Sequence, residues 1–130
     1  MKFYATRTLA LTVGVLSGGG CVQPAFDRMI TYELDVSRVP GVRTVGVRGG
    51  DRPLSWDQDV AMRPVVPESL YVVTVTYHTG YLATDVKFTV NGEFELAEQE
   101  NRRVRVVPTV TGGDTTVVHA VFNQRQWRRD

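Results

Sequence analysis

Apolar and polar residues alternate along much of this chain with a period of two. Ile30, Tyr32, Leu34 and Val36 interleave with Thr31, Glu33 and Asp35, which places one set on each face of an extended strand. Residues 42–48 (VRTVGVR) predict a second strand that stops at Gly49-Gly50. Residues 70–77 (LYVVTVTY) are β-branched or aromatic at nearly every position, the composition of a strand covered on both faces. Val86, Phe88 and Val90 then alternate with Asp85, Lys87 and Thr89, and Asn91-Gly92 follows. That dipeptide tolerates the two left-handed positions of a type I′ hairpin turn, so residues 93–96 are the predicted return strand. Residues 102–107 (RRVRVV) and 115–122 (TTVVHAVF) bring the total to about seven strands, with Gly112-Gly113-Asp114 as the last turn. Residues 96–101 (LAEQEN) are short and polar, and no stretch carries the period of an amphipathic helix. Short strands at near-regular spacing predict an all-β chain, an antiparallel β-sandwich.

The N-terminal segment follows a different pattern. Lys2 and Arg7 precede a short apolar stretch, residues 8–17 (TLALTVGVLS), then Gly18-Gly19-Gly20 and the only cysteine, Cys21. A charged start, a brief apolar stretch and small residues form the layout of a secretory signal peptide. The apolar stretch is shorter than the roughly 20 residues a membrane span needs. Cys21 directly after the small residues resembles a bacterial lipobox, with Gly18 where that pattern usually has Leu. The resemblance implies a diacylated Cys21 as the mature N-terminus, and a lone thiol in an oxidising compartment fits that reading better than a free one. By resemblance to Gram-negative lipoproteins, Val22 rather than Asp after the Cys permits outer-membrane sorting. The expected organisation is a signal peptide over 1–20, an anchor and linker over 21–27, a sandwich over 28–123 and a basic, frayed tail over 124–130. The expected location is the cell envelope, in the periplasm or held at the outer membrane.

Composition narrows the function. The chain has 130 residues, 15 Lys plus Arg and 14 Asp plus Glu; loss of Lys2 and Arg7 with the signal leaves 13 cations against 14 anions. A net charge near zero does not favour nucleic acid as a partner. One Cys and two His exclude a disulfide framework and a Cys/His metal site, and no cofactor is expected. His78 and His119 stand in no nucleophile or HExxH pattern. The acidic pairs Asp57/Asp59 and Glu93/Glu95 flank predicted turns, where solvated carboxylates are common. The chain does not read as an enzyme.

Residues 49–57 (GGDRPLSWD), Leu70-Tyr71, Val86-Lys87-Phe88, Glu93-Phe94-Glu95 and Asn101-Arg102 occur in an order and spacing that resemble the starch-binding domain family of carbohydrate-binding modules and its glycogen-binding relatives. The resemblance covers residues 42–107, about half of the chain. It implies a non-catalytic, immunoglobulin-like sandwich that binds α-glucan or another oligosaccharide. In that family the main site uses a loop Trp, a Lys, a second Trp and an Asn; here Trp56, Lys87 and Asn101 match, and Phe94 stands in the place of the second Trp. Tyr71 occupies the position of an aromatic that can belong to a second site, and it equally shares a face with Val73, Val75 and Tyr77. Aromatic faces stack on the C–H faces of sugars while Lys and Asn direct hydrogen bonds to hydroxyls. A phenyl ring offers less area than an indole, so weakened or altered glucan binding is expected. Asn101-Arg102 also reads as a turn opening a strand, with Arg102 paired to Glu95 or Glu98. The alternative function is an envelope lipoprotein that keeps the scaffold and docks another envelope protein through a sheet edge or loop.

Overall fold

The structure, a computed structural model, describes residues 24–108 and 115–128. Cys21, the signal segment and the turn at Gly112-Gly113-Asp114 lie outside the described residues. Nine strands follow in order: β1 Phe26–Asp35, β2 Val45–Gly49, β3 Val60–Ala61, β4 Arg63–Val66, β5 Leu70–Thr79, β6 Ala83–Val90, β7 Glu93–Phe94, β8 Arg102–Arg105 and β9 Thr115–Val121. They form two packed sheets, a β-sandwich, with no helix among the described residues.

One sheet has the order β4-β5-β1-β9; the other runs β3-β2-β6-β7, with β8 also paired to β6. The strand alternation decides what fills the space between them. Ile30, Tyr32 and Leu34 of β1 and Val75 and Tyr77 of β5 point inward and meet Val45, Val47, Val86, Phe88, Val90 and Val104 of the opposite sheet, all buried. Tyr32 meets Phe88 edge-on across the interface, centroids 5.9 Å apart and planes at 77°. That arrangement suits the ring quadrupoles and adds to the area buried.

Every pairing is antiparallel except one. β9 lies parallel to β1, Met29 opposite Thr115 through Asp35 opposite Val121, which departs from the uniformly antiparallel expectation. A parallel neighbour needs a long return path, and here the return comprises every strand from β2 to β8. The expected hairpin at Asn91-Gly92 is present: both residues have positive φ, 53° and 79°, and Val90 pairs with Glu93. β7 is two residues long rather than four: the Glu95 N–H still donates to the Phe88 carbonyl at 3.0 Å, but the Phe88 N–H goes to the Glu95 carboxylate and Leu96 turns with φ 49°.

Three further expectations are corrected. β5 is not covered on both faces; Thr74, Thr76 and His78 are exposed on its outer side, and only its inner face carries the core. β3 and β4 are additional, short strands without alternation. The C-terminal stretch is not a loose tail as far as Arg128. Trp127 bridges to Ala120, the Arg128 N–H donates to the His119 carbonyl at 2.8 Å, and the Trp127 indole packs against the core.

Candidate functional site

The outer face of the five-stranded sheet carries the site. In β2, Val45 and Val47 point inward, so Gly46 and Arg48 point out; in β6 the same rule sends Asp85, Lys87 and Thr89 outward. Arg48 lies directly opposite Lys87, and Thr89 directly opposite Phe94. These side chains therefore form one continuous surface across β2, β6 and β7.

The loop between β2 and β3 folds over that surface. The Gly50 N–H donates to the Asp85 carbonyl at 3.1 Å and the Leu54 N–H to the Asp51 carbonyl at 3.0 Å, while Leu54 plugs into the core. The Trp56 indole lies over Gly50, where a Cβ would sit 3.5 Å from its Nε1. Asp59 comes down on Gly46: a Cβ there would stand 2.6 Å from the Asp59 Cγ. The close approach of a side chain to backbone is what requires glycine at this position. The Asp59 carboxylate accepts from Arg48 Nε at 2.6 Å and from the Thr89 hydroxyl at 2.8 Å. Arg48 also donates to the Trp56 carbonyl at 3.2 Å.

The result is an aromatic pair on a cationic base. Half-buried Trp56 and 41% exposed Phe94 have ring centroids 6.4 Å apart and planes tilted by 58°. The Arg48 guanidinium stacks on the Phe94 ring at 4.9 Å, a cation–π contact that fixes the phenyl plane. Lys87 Nζ donates to the Leu96 carbonyl at 3.0 Å, which leaves two of its three N–H donors for another acceptor. Asn101 is exposed and immediately precedes the rung that pairs Arg102 with Val86; it lies on the side of β6 away from β2, where Lys87 falls between the rungs to β8 and those to β7. It also lines an open concavity of about 670 Å³ that begins at Asp85.

Four of the five sequence-predicted binding residues thus gather on or at the edge of one face. Tyr71 does not. It is 7% exposed and belongs to the core, opposite Leu34 on β1, so it is no part of this surface. Its shared face with Val75 and Tyr77 is an inward face, and burial of a large ring there follows from the strand period. Sequence reasoning missed Arg48 as part of the surface. The signal was present, because alternation with Val47 puts Arg48 on the same side as Lys87.

Below the site, the Glu-to-Arg spacing has a structural use. Glu95 and Arg102 pair bidentately, Nε to Oε1 at 2.6 Å and Nη2 to Oε2 at 2.8 Å, with both side chains essentially inaccessible. Of the two partners weighed for Arg102, Glu95 is the one observed. The members of the acidic pairs have different surroundings: Asp59 is engaged by Arg48 and Thr89, and Glu95 is buried while Glu93 is exposed. Among the described residues, no group of three or more His, Asp or Glu side chains is placed to hold a metal ion. No known protein-family model matches this chain, and no curated protein matches its sequence.

Proposed function

We propose that this chain is a non-catalytic, exported, lipid-anchored module that binds α-glucan-type carbohydrate on the outer face of its five-stranded sheet. The observation that supports it is the Trp56–Phe94 pair, 6.4 Å between centroids, with Lys87 on the same face. An α-linked glucan turns between successive rings, so two tilted aromatic planes suit it better than one flat platform. Lys87 and Asn101 offer donors and an acceptor at the rim for sugar hydroxyls. The anchored location rests on residues 8–21 (TLALTVGVLSGGGC).

A second reading, an envelope protein as partner, has one observation in its favour. Val65 and Val66 on the edge strand β4 are 53% and 50% exposed, and an apolar edge is a natural docking strip.

Calorimetric titration of residues 23–130, which contain every described strand, with a cyclic and a linear malto-oligosaccharide separates the two. Saturable heat is expected, and Trp56→Ala, checked for folding by circular dichroism, should weaken binding about tenfold or more, a loss of at least roughly 1.4 kcal/mol. Absence of heat at millimolar sugar removes the glucan reading and leaves the protein partner.

A further inference from the structure

The exposed apolar side chains outside the site are not scattered. Eight large hydrophobic residues are exposed among the described residues, and four of them, Phe26, Tyr81, Leu82 and Val107, stand at one end of the sandwich. Phe26 opens β1 opposite Thr79, and Tyr81 follows two residues later, its N–H bonded to the Thr79 hydroxyl at 3.0 Å. The Leu82 carbonyl accepts the Val106 N–H at 2.8 Å, which brings Val107 beside it. Arg28 ties the group together, its guanidinium 5.6 Å from the Phe26 ring centroid and its Nε donating to the Thr79 carbonyl at 3.4 Å. Tyr81 and Val107 are 68% and 81% exposed, and it is the grouping of exposed apolar side chains, not any one of them, that marks an interaction surface.

The chain enters the fold at this same end. Cys21 lies five residues before Phe26, and five residues reach at most roughly 18 Å when fully extended. A lipid on Cys21 would therefore hold the start of β1, and the apolar group around it, close to the bilayer surface. We propose that the end formed by Phe26, Tyr81, Leu82 and Val107 seats on the phospholipid interface. The inference rests on the anchored reading above and adds an orientation to it. Aromatic and aliphatic side chains partition to the headgroup–acyl boundary, tyrosine with its hydroxyl toward water. Exposed Arg105, opposite Ala83 at the start of β6, is placed to meet lipid phosphates. Phe94 pairs with Thr89, six residues up β6 from Ala83 and about 20 Å away at strand rise, so the Phe94 end of the sheet stands away from the membrane.

The test uses the chain from Cys21 to Asp130, coupled through the Cys21 thiol to phosphatidylcholine vesicles bearing a maleimide headgroup. Chemical coupling makes the measurement independent of whether cells acylate Cys21, which mass spectrometry of the exported protein reports separately. With Tyr81→Trp, an added emission component quenched by brominated acyl chains is expected; the parent, whose tryptophans are Trp56 and Trp127, should show no comparable quenching. Adding Val107→Asp and Leu82→Asp, both at exposed positions, should abolish the quenching without altering the circular dichroism spectrum. Equal quenching in the Tyr81→Trp variant and the parent overturns the proposal. So does a stable dimer in sedimentation that Val107→Asp dissociates, because the apolar end is then covered by a second copy.

Discussion

Glu95 is the side chain that most constrains its surroundings. Its carboxylate receives the Arg102 guanidinium, the Phe88 N–H at 3.1 Å and the Asn123 N–H at 3.3 Å. Arg102 in turn donates to the carbonyls of Val121, Gln124 and Arg125, and lies between the rings of Phe88 and Trp127, 5.6 and 5.1 Å from their centroids. One buried pair thus joins β6, β7 and β8 to the chain after β9, and it orders the stretch leading to Trp127. Desolvating two charges is expensive, and the pair is sustained only because each remaining donor and acceptor is matched. Truncating one partner leaves a buried charge. Arg102→Leu should cost about 3–5 kcal/mol, a large fraction of the 5–15 kcal/mol typical of a domain. Urea unfolding followed by circular dichroism measures it, and a loss below about 1 kcal/mol, the range of exposed pairs, would show that the pair does not carry this weight. Replacing both partners, Glu95→Leu with Arg102→Met, should recover only part of the loss, because three carbonyls stay without their donor.

At the level of elements, the loop from Gly50 to Asp59 is the device that builds the surface, and its hold on the sheet passes through Gly46. Gly46→Ala would force the Asp59 side chain off its bonds to Arg48 and Thr89. A destabilisation of about 1–3 kcal/mol is expected, with a shift in tryptophan emission as Trp56 and the Arg48-stacked Phe94 lose their support. An unchanged emission spectrum and urea midpoint would mean that the loop is held elsewhere. How much of this was legible depends on how local the cause is. The β6–β7 hairpin follows from Asn91-Gly92 alone, the strands β1 and β6 follow from alternation, and β5 follows from its β-branched and aromatic composition, which pointed to cover on both faces rather than one. β3 and β4 did not show, because two residues carry no period and every residue of Arg63–Val66 is exposed, with Pro64 arguing against a strand. The ordered stretch through Arg128 was illegible because its cause is distant: a basic, polar sequence reads as solvated until Arg102 supplies partners for its carbonyls. For the candidate site, Trp56, Lys87, Phe94 and Asn101 came from the resemblance to the starch-binding family, and what the structure adds is that they lie on or at the edge of one face. Arg48 was not recognised, and the burial of Tyr71 was only one of two readings its strand allowed.

Across the whole molecule, a chain of hydroxyls links the two sheets through the core. Tyr32 and Tyr77 share a hydrogen bond of 2.7 Å between their hydroxyl oxygens, and the Tyr77 hydroxyl also meets Thr84 on β6. Thr84 donates onward to Asp51 at 2.6 Å, so the network ends at the loop that carries Trp56. Burial, reinforced by the nearby Asp51 carboxylate, disfavours both phenolates: Tyr77 is pushed up to about 12, and Tyr32 is raised further still. The consequence for stability has a definite sign. In the unfolded chain a tyrosine ionises near pH 10, whereas the folded chain keeps both protons. Folding therefore holds more protons than unfolding above pH 10, and stability must fall as pH rises. The contribution is complete below about pH 10 and is lost progressively toward pH 12 and beyond, at up to about 1.4 kcal/mol per pH unit for each tyrosine. Tyrosinate absorbance and circular dichroism followed together through alkaline titration should show these two phenols ionising only as the sandwich unfolds. Tyr32→Phe removes one of the two ionisations, so its stability should decline less steeply above pH 10 even where the lost hydrogen bond lowers it at neutral pH. An equal slope in the variant would place the alkaline sensitivity outside the Tyr32–Tyr77 pair. The predicted slope difference tests the network as a core element, because the neutral-pH cost and the alkaline relief have opposite signs and no exposed tyrosine produces both.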